Sequence, residues 1–435
     1  MFAAVADEDT GASDLAGMLA DQGVRTLLIL DADVLDDGGL RSIVADAIVF
    51  ATATRALTPA RAFDLTEGAI RRAANLLPRT IQIKYCSTFD STAEGNIGPS
   101  LDAAMSVPGE TFTIAVPALP VNGRTTYYGC HFVKGELLSE SPMRHHPLTP
   151  MTDPNLVRHL QRQTTRRVGL TPCTVVEEGA VAIAQQWERQ RAAGDGIAVV
   201  DCIDDRQAHS ISEAACELHL VSGSSLFGMH MPEQWRRRGW LPSPPTQLWT
   251  GLDFQPGSGQ LVVAGSCSVA TKAQNQWLEK AGATVVETDV CGLLHGEPDG
   301  FVGRAVQRLK AGGTVLLKTR SNPEDIALAQ QWGMERGWAP SEMGRQISAA
   351  MGELVQRVLD ATNPEVLICA GGETASSICR ALGIRAFAVE RNIQPGVPLC
   401  RPLGGRSIPM VLESGNFGTA DFYGAALQVA LRARA

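Results

Sequence analysis

Three consecutive carboxylates follow the first apolar run of the chain, in the sequence Ala6-Asp7-Glu8-Asp9-Thr10-Gly11-Ala12. The run Ala3-Ala4-Val5 predicts a strand, and a helix-like segment over 15–20 comes after the acids. One acid at the start of a helix is explained by capping and by the helix dipole. Three in a row exceed what a cap needs, so Asp7 and its neighbours are candidates for a functional site.

A second polar loop follows another predicted strand. It reads Lys84-Tyr85-Cys86-Ser87-Thr88-Phe89-Asp90-Ser91-Thr92 and leads into Gly95-Asn96-Ile97-Gly98. The loop combines a cation, hydroxyls and a carboxylate, which suits a polyhydroxylated acid, although a well-capped loop would use the same residue types. Farther along, Asn122-Gly123-Arg124-Thr125 predicts a turn. Arg124, Arg55 and Arg144 could supply the forked donors that a substrate carboxylate requires.

Three turns rich in glycine and hydroxyl groups follow predicted strands in the second half: Gly265-Ser266-Cys267-Ser268, Gly371-Gly372-Glu373-Thr374 and Ser414-Gly415-Asn416-Phe417-Gly418. Glycines let backbone N–H groups approach an anion, and a helix N-terminus favours phosphate oxygens. Each turn taken alone could serve plain geometry. Because ligands of open α/β sheets bind at the carboxyl ends of strands, the three together indicate a nucleotide pocket. The sequence contains neither G-x-x-x-x-G-K-[ST] nor a dinucleotide fingerprint after a strand.

Short apolar runs alternate with helical patterns along the chain, which predicts βαβ units around largely parallel sheets. Two apolar runs around Lys134-Gly135 predict a hairpin. The predicted strands of the second half lie at 261–264, 283–286, 314–317, 366–370, 386–389 and 410–412. The stretch from Pro242-Ser243-Pro244-Pro245 to Gly259 predicts a linker. We therefore expect domains over 1–241 and 260–435, joined by 242–259, with the active site in the cleft between them.

Length and composition favour two globular domains, since 435 residues exceed the roughly 250–300 at which one core stops growing. A net charge of −8 makes nucleic acid an unlikely partner. No apolar run reaches the roughly 18–20 residues that span a bilayer, so no membrane partner is expected. The ten cysteines lack a C-x-x-C pair and no secretory leader is evident, which predicts a cytoplasmic protein with reduced thiols.

The chain resembles the four-carbon acid sugar kinase family, and specifically its 3-oxo-tetronate kinases, over nearly its whole length. In the first half the resemblance rests on Cys86-Ser87-Thr88-Phe89-Asp90-Ser91-Thr92, Glu94-Gly95-Asn96-Ile97-Gly98-Pro99 and the run from Pro117 to Asp153. In the second half it rests on Gly371-Gly372-Glu373-Thr374, Pro395-Gly396-Val397-Pro398 and Ser414-Gly415-Asn416-Phe417-Gly418.

The resemblance implies an N-terminal domain that binds the sugar acid, a C-terminal domain that binds ATP, and phosphoryl transfer to the terminal hydroxyl. It places the ATP contacts at Ser266, Ser268, Gly371, Gly372, Glu373, Thr374, Gly415 and Asn416. The sequence departs from the family pattern at Glu8-Asp9, where an aspartate and an apolar residue are usual. It also departs at Ala53 and Glu413, where lysines are usual. Losing two cations and gaining an anion puts efficiency and substrate identity in question.

These observations predict an ATP-dependent kinase for a four-carbon sugar acid, giving the 4-phosphate of a 3-oxo-tetronate. Phosphoryl transfer needs a carboxylate to accept the hydroxyl proton, and Asp7 or Asp90 is the expected base. The expected substrate-binding residues are Glu8, Arg55, Lys84, Ser87, Asn122, Arg124 and Arg144. Mg²⁺ is expected with ATP, without an assignable protein ligand. A homo-oligomer is left open.

Two other functions remain open. The first is a kinase for threonate or erythronate. The second is a regulator that kept the fold and both binding sites but lost the chemistry, which the departures at Ala53 and Glu413 motivate. An NAD-dependent sugar-acid dehydrogenase is disfavoured because the dinucleotide fingerprint is missing. If the chain is a kinase with its two sites on separate domains, we expect the domains to close when both substrates bind.

Overall fold

The computed structural model describes residues 1–35, 43–146, 148–249, 254–266, 268–294, 299–320, 322–413, 415 and 418–432. The chain divides into two compact units, and the division falls between Leu248 and Trp249. This position lies inside the segment 242–259, whose role as a linker stays a prediction.

The first unit is built on a parallel sheet. Its strands are β1 (Phe2–Ala6), β2 (Thr26–Ile29), β3 (Ala47–Ala51), β4 (Thr80–Lys84), β5 (Thr113–Val116), β6 (Arg124–Tyr127), β7 (Cys130–Val133), β8 (Glu136–Leu137), β9 (Val168–Thr171), β10 (Ile197–Val200) and β11 (Leu220–Gly223). All except β6, β7 and β8 pair in parallel, in the order β2-β3-β1-β4-β11-β5-β10-β9. The central strand β1 is buried along its whole length, as is typical of a parallel strand covered on both faces.

Helices connect these strands and cover the sheet. They are α1 (Asp9–Asp21), α2 (Pro59–Ala74), α3 (Ile97–Ser106), α4 (Leu156–Gln161), α5 (Cys173–Val176), α6 (Ala180–Ala192), α7 (Asp205–Ala215) and α8 (Leu226–Arg237). Short 3-10 turns lie at Ala32–Leu35, Pro120–Asn122 and Pro142–His145. In α2, Pro59 occupies the first turn, where its missing N–H costs nothing, and Ala62, Thr66, Ala69, Ile70 and Ala73 form the buried face.

A small antiparallel sheet joins β6, β7 and β8. The predicted hairpin around Lys134-Gly135 is confirmed as the pair β7 and β8, and the sheet also contains β6. The carboxylate of Asp201, at the end of β10, accepts the backbone N–H groups of Tyr128 at 2.6 Å and Gly129 at 2.8 Å. These bonds fasten the β6–β7 turn to the parallel sheet.

The second unit has a mixed sheet. Its strands are β12 (Gln260–Ala264), β13 (Thr284–Thr288), β14 (Thr314–Thr319), β15 (Val366–Ala370), β16 (Ala386–Gln394), β17 (Val397–Pro402) and β18 (Met410–Glu413). In the order β13-β14-β12-β15-β18 the pairs are parallel, and β17 and β16 continue the sheet as antiparallel strands. The prediction of α/β units with largely parallel sheets is confirmed. Strand β17 is absent from the strands predicted above.

The helices of the second unit are α9 (Val269–Lys280), α10 (Val290–Leu294), α11 (Asp299–Lys310), α12 (Pro323–Glu335), α13 (Pro340–Ala361), α14 (Gly372–Ala381) and α15 (Phe422–Arg432). The core on one face of the sheet packs Val262, Leu316, Ile368 and Val411 against Phe422 and Tyr423 of α15. Among the described helices, none is both long enough and apolar enough to cross a bilayer.

Candidate active-site groups in the two units

Three neighbouring strands bring the predicted acids and cations of the first unit to one edge. Ala6, the last residue of β1, lies in register with Ala51 of β3 and Lys84 of β4. Beyond the strand, the Asp7 N–H donates to the Lys84 carbonyl at 3.0 Å, and the Arg55 N–H donates to the Asp7 carbonyl at 3.0 Å. Asp7, Arg55 and Lys84 are therefore fixed side by side by main-chain hydrogen bonds.

The guanidinium of Arg55 holds the two predicted acids. It donates to both Asp7 oxygens, from Nε to Oδ2 at 3.0 Å and from Nη2 to Oδ1 at 2.9 Å, and Nη1 donates to Glu8. Burial opposes the charge on Arg55, but Asp7, Cys86 and Glu8 together more than offset this effect, so the pKa of the guanidinium lies well above its ordinary value. Glu8 occupies the N-cap position of α1 without a capping side-chain bond. The acids therefore serve an ion-pair cluster rather than a helix cap.

Charges of both signs converge beside Gly11, in the first turn of α1. A Cβ placed on Gly11 would lie 3.3 Å from Lys84 Nζ, 3.7 Å from Arg55 Nη2 and 3.8 Å from Asp7 Oδ1. Lys84 is 3% exposed, and its Nζ donates to the Tyr85 carbonyl at 3.1 Å. A hydroxyl or carboxylate group at this point would meet two cationic donors, one carboxylate acceptor and the backbone N–H groups of a helix N-terminus.

Asp90 lies opposite Arg55 in the loop that follows β4. Its Oδ1 accepts the Thr88 hydroxyl at 2.6 Å, while its Oδ2 lies 4.0 Å from Arg55 Nη1, which is too far for a hydrogen bond. The Cys86 thiol contacts Thr88 Oγ1 at 2.8 Å, and burial raises the pKa of Cys86. The two candidate bases thus differ, because both oxygens of Asp7 are bonded to Arg55, whereas among the described residues only one oxygen of Asp90 is hydrogen-bonded.

The other predicted substrate residues lie in and around the small sheet. Arg124 Nη1 donates to the Asn122 carbonyl at 2.7 Å, and Arg124 Nε is a buried donor with no hydrogen-bond partner among the described residues. The Ser87 carbonyl accepts a bond from His131 at 2.8 Å. The Arg144 side chain is exposed and donates to the Ser139 carbonyl at 3.1 Å. Within the described residues, no hydrogen bond or ion pair joins Arg144 to the Asp7 cluster.

In the second unit, the glycine turns after β12, β15 and β18 meet at one edge of the sheet. Ala264, Ala370 and Glu413 end these adjacent strands in register. The Gly265 N–H donates to the Ala370 carbonyl at 3.1 Å, and the Gly371 N–H donates to the Glu413 carbonyl at 2.8 Å. Parallel strands put their carboxyl ends at the same edge, so three turns distant in sequence become neighbours.

Two helices begin at this edge. Ser268 caps α9, since its hydroxyl accepts the Thr271 N–H at 3.0 Å. Gly371, with φ of 115°, precedes α14, whose first three residues are Gly372, Glu373 and Thr374. The first N–H groups of a helix have no partner within the helix, so two helix N-termini at one edge are suited to bind phosphate oxygens.

The turns pack closely enough that side chains would collide. A Cβ on Gly265 would lie 2.1 Å from Thr374 Oγ1, and a Cβ on Gly415 would lie 2.5 Å from Ser266 Oγ. A Cβ on Gly371 would lie 3.3 Å from the Ser266 Cβ. Ser266, Thr374 and these glycines therefore form one surface, which we call the glycine cradle.

The Gly415 backbone is already bonded on both sides. Its N–H donates to Glu413 Oε1 at 2.7 Å, and its carbonyl accepts the hydroxyls of Thr271 at 3.0 Å and of Ser268. The predicted ATP contact at Asn416 lies outside the described residues, as do Cys267, Ser414 and Phe417. Binding of ATP by the remaining predicted residues stays a prediction.

Sequence reasoning missed several residues of these groups. Thr271 bonds the 415 turn, and His131 and Gln163 bond the loop that carries Asp90. His131 stands 44 positions from its partner Ser87, so no local spacing pattern connects them. A buried histidine within a short strand was the available signal, and such a residue is more often a satisfied core side chain than a functional one.

Comparison with known proteins divides the chain in the same two parts. Residues 2–230 match the model of a sugar-binding N-terminal domain, and residues 261–423 match that of a nucleotide-binding C-terminal domain. The Asp7 cluster thus falls in the sugar-binding part and the glycine cradle in the nucleotide-binding part.

Curated relatives match the chain from end to end. A 3-oxo-tetronate kinase of Pseudomonas fluorescens is 37% identical over 429 residues, which cover 98% of this chain and 96% of the relative. One from Cupriavidus necator is 37% identical over 433 residues, covering 98% and 96%, and one from Salmonella typhimurium is 33% identical over 425 residues, covering 96% of each.

Solved structures show the same fold. A Haemophilus influenzae protein superposes with a TM-score of 0.80 at 31% identity, over 99% of this chain and 100% of the other. A Salmonella typhimurium protein superposes with a TM-score of 0.86 at 32% identity, over 98% and 99%. With a family model matching more than half of the chain and relatives matching nearly all of it, the resemblance seen in the sequence is confirmed. The chain belongs to the four-carbon acid sugar kinase family.

Proposed function

We propose that this protein is an ATP-dependent kinase that phosphorylates the terminal hydroxyl of a four-carbon sugar acid, converting a 3-oxo-tetronate to its 4-phosphate. The observation that carries the proposal is the 37% identity to a 3-oxo-tetronate kinase across 98% of the chain. The Asp7 cluster and the glycine cradle supply groups suited to a sugar acid and to a nucleotide, respectively.

Asp90 is the proposed base. In the transfer, the terminal hydroxyl oxygen forms a bond to the γ-phosphorus while the bond from that phosphorus to the β–γ bridging oxygen breaks, leaving ADP. The hydroxyl proton passes to a carboxylate. Asp90 supports this role better than Asp7, because its Oδ2 has no hydrogen bond to Arg55, whereas both Asp7 oxygens do.

The sugar acid is proposed to bind at the point beside Gly11. Lys84 supplies a compact cation there, Asp7 an acceptor for substrate hydroxyls, and Arg55 and Glu8 complete the charge balance. Arg124, Asn122 and Ser87 are proposed to bind from the side of the small sheet, where the buried Nε of Arg124 lacks a protein acceptor among the described residues. The exposed Arg144 has the weakest support of the predicted set.

ATP is proposed to place its phosphates in the glycine cradle, against Gly371, Gly372, Thr374, Ser266 and Ser268. When Mg²⁺ is bound with ATP, it neutralises phosphate charge. The described residues contain no group of three or more His, Cys, Asp or Glu that could hold a metal. This fits an ion held mainly by the nucleotide, because Mg²⁺ in such sites takes only one or two protein carboxylates. Glu373, exposed in the first turn of α14, is the carboxylate available for that position.

We place the protein in the cytoplasm. No disulfide involves a cysteine in the described part of the chain, where Cys173, Cys202 and Cys216 are buried. Thiols that are not joined in disulfides fit a reducing compartment.

A second function has one specific observation in its favour. The Glu413 carboxylate accepts the Gly415 N–H, which would otherwise be available to a phosphate oxygen as acceptor. A regulator that binds the sugar acid and nucleotide without turnover would tolerate such an anion more easily than a kinase would.

The test measures ADP release by the purified protein with ATP, Mg²⁺ and a panel of 3-oxo-tetronates, threonate and erythronate. A 3-oxo-tetronate is expected to give the highest kcat/KM. Asp90→Asn is expected to lower kcat by about 10²–10⁴-fold with little change in either KM, as for loss of a general base. Asp7→Asn, which weakens the Arg55 cluster, is expected to raise the KM for the sugar acid.

Other outcomes decide against parts of the proposal. Binding of both ligands by calorimetry without ADP release above background would replace the kinase by the regulator. A threonate or erythronate with the highest kcat/KM would reassign the substrate. A loss of kcat confined to Asp7→Asn would make Asp7 the base.

A further inference from the structure

The loop that carries Asp90 has a strained backbone at its centre. We define loop 86–92 as the residues between β4 and the turn that leads to α3. Within it, Phe89 has φ of 57°, in the left-handed region, and its side chain is 0% exposed. A non-glycine residue in this region costs on the order of 1–3 kcal/mol and persists only where the surroundings hold it. The contacts that hold loop 86–92 are therefore of functional interest.

His131, in β7 of the small sheet, bonds the beginning of the loop. Its Nε2–H donates to the Ser87 carbonyl at 2.8 Å, and its Nδ1 accepts the Thr126 hydroxyl at 3.0 Å. The Ser87 carbonyl can only accept, so it fixes the tautomer in which Nε2 carries the proton, and the Thr126 hydroxyl then donates to Nδ1. His131 is 0% exposed, and burial lowers its pKa to about 4, so the ring is neutral at pH 7.

Gln163, just beyond α4, bonds the end of the loop. Its Nε2 donates to Ser91 Oγ at 2.9 Å and to the Thr92 carbonyl at 2.9 Å, and its Oε1 accepts the Gly98 N–H at 2.9 Å. A Cβ on Gly98 would lie 2.5 Å from the Gln163 Cβ, so the glycine permits this close approach.

His159 of α4 supports the same end of the loop. Its Nε2 lies 3.1 Å from Ser91 Oγ, and its ring packs edge-on against Phe89 with centroids 6.1 Å apart. On the other side, Tyr85 packs edge-on against Phe89 at 5.2 Å. The strained residue is therefore enclosed by aromatic rings, and the polar bonds lie on either side of it along the chain.

The consequence falls on Asp90. Its carboxylate is oriented by the Thr88 hydroxyl at 2.6 Å, and both residues lie between the His131 bond at Ser87 and the Gln163 bond at Ser91. If either bond is lost, Phe89 can relax to negative φ, and the peptide planes that set Asp90 rotate with it.

We propose that His131 and Gln163 are positioning residues, which hold loop 86–92 in its strained form and thereby present Asp90 to the sugar acid. The inference rests on the proposed function for its catalytic half, and on the contacts above for the holding of the loop. Neither residue touches substrate in this scheme, and both act through Asp90.

The experiment compares His131→Leu, His131→Gln and Gln163→Leu in the full-length protein. A misplacement of about 1 Å at a reacting group can cost on the order of 10²-fold, so the two leucine variants are expected to lose about 10–100-fold in kcat. Their KM for ATP is expected to stay within about twofold, because the nucleotide turns lie in the other unit. In His131→Gln the side-chain amide can donate to the Ser87 carbonyl. This variant should therefore recover at least half of the activation free energy that His131→Leu loses relative to the wild type.

Gln190→Leu is the matched control. Gln190 is 6% exposed in α6, close to the 7% of Gln163, and it accepts the Thr171 hydroxyl at 2.9 Å away from loop 86–92. The control should lower the unfolding midpoint as Gln163→Leu does, while kcat measured well below that midpoint stays at the wild-type value.

Asp90→Asn tests whether His131 acts through Asp90. The effects of residues that act as a unit are not additive, so adding His131→Leu to Asp90→Asn should lower kcat by less than about a further threefold. The full single-variant loss repeated in the Asp90→Asn background would overturn the positioning role. Should His131→Leu fail to fold, Gln163→Leu carries the same double-variant test with Asp90→Asn, because it removes the bonds at the other end of the loop.

Hydrogen exchange of the peptide spanning 84–98 separates this inference from the proposed function, since it needs no turnover. Faster exchange in His131→Leu and Gln163→Leu than in Gln190→Leu supports the holding of the loop, and equal exchange in all three refutes it. An inactive wild-type protein would refute the proposed function and the catalytic half of the inference, while exchange still decides whether the loop is held.

Discussion

The Glu413 carboxylate accepts the backbone N–H of Gly415 at 2.7 Å, in one of the three turns of the glycine cradle. Glu413 is 1% exposed. Burial raises the pKa of the Tyr423 hydroxyl, and the nearby charge of Glu413 raises it further. A carboxylate oxygen thus stands where a nucleotide phosphate would be expected to accept a bond. If the cradle binds ATP as proposed, the charge of Glu413 opposes the phosphates, while its acceptor oxygen orders the turn.

Glu413→Gln separates these two effects. The amide oxygen can still accept the Gly415 N–H, but the negative charge is gone. Removing one like charge near a polyanion is worth on the order of 1 kcal/mol, so the KM for ATP is expected to fall about fivefold. Steady-state kinetics with varied ATP make the measurement, and the KM for the sugar acid should not move.

Glu279→Gln is the control for this charge change. Glu279 lies in the last turn of α9, far from the helix N-terminus at the cradle, and pairs with Lys318 at 2.5 Å. If both variants change the KM for ATP equally, the effect is one of net charge rather than of the turn. A raised KM in Glu413→Gln would mean that the carboxylate supports ATP binding.

Gly11→Ala is expected to weaken sugar-acid binding without destabilising the protein. Alanine is a better helix former than glycine by about 1 kcal/mol, so the free energy of unfolding should stay level or rise. The new methyl group would lie 3.3 Å from Lys84 Nζ and occupy the point beside Arg55 and Asp7. The KM for the sugar acid is therefore expected to rise about tenfold or more.

Gly68→Ala provides the comparison for Gly11→Ala. Gly68 lies inside α2, and among the described residues its Cβ would meet only Arg72 Nη1, at 3.9 Å. It should gain a similar helix stabilisation in denaturant titrations and leave the KM for the sugar acid unchanged. If the KM for the sugar acid is unchanged in Gly11→Ala as well, the sugar acid does not bind beside Gly11.

Gly371→Ala tests whether the cradle binds ATP. Gly371 has φ of 115°, and its Cβ would press on Ser266 at 3.3 Å. Gly282 has φ of 93°, and no atom of the described residues lies within 4 Å of its Cβ position, so Gly282→Ala carries the backbone strain without the contact. Both should lose on the order of 1–3 kcal/mol of stability. Only Gly371→Ala should raise the KM for ATP, and a similar KM in both would place the phosphates elsewhere.

The strand ends and their shared edges could be predicted from the sequence. Apolar runs before Asp7, Lys84 and Gly371 indicated strands, and parallel pairing then requires that, within each unit, the residues after the strands lie at one edge of the sheet. The partners of each side chain could not be predicted in this way. Arg55 was expected to contact substrate, and in the structure its donors are bonded to Asp7 and Glu8. Competition among close charges depends on side-chain positions that a linear pattern does not contain.

Two further features were missed for physical reasons. Strand β17 (Val397–Pro402) contains prolines, which argue against a strand because they remove ladder donors, yet it pairs with β16 through register shifts that tolerate them. The His131 bond to Ser87 joins residues 44 positions apart. Such a contact is created by the folding of the small sheet and has no local spacing signal.

The wild-type protein is expected to lose part of its stability through His131 as the pH falls below about 6.5. Burial, and then the nearby Arg124 charge, lower the pKa of His131 in the folded state to about 4, against the Ser87 bond that favours protonation. The unfolded chain therefore binds a proton at a higher pH than the folded chain does. The stabilisation is fully present above pH 6.5 and is lost progressively as the pH falls towards 4, by about 1.4 kcal/mol per unit and about 3 kcal/mol in all.

Urea titrations of the wild type and His131→Gln between pH 4 and pH 8 measure this contribution, provided that unfolding is reversible. Other groups such as His159 and Asp201 also have shifted pKa values, but they are present in both proteins, so their effects cancel in the difference. The wild type should lose its advantage over His131→Gln, or fall below it, as the pH drops from 6.5 to 4. A difference that stays constant over this range would mean that His131 titrates alike in the folded and unfolded chains, and is then not the neutral, buried donor to Ser87.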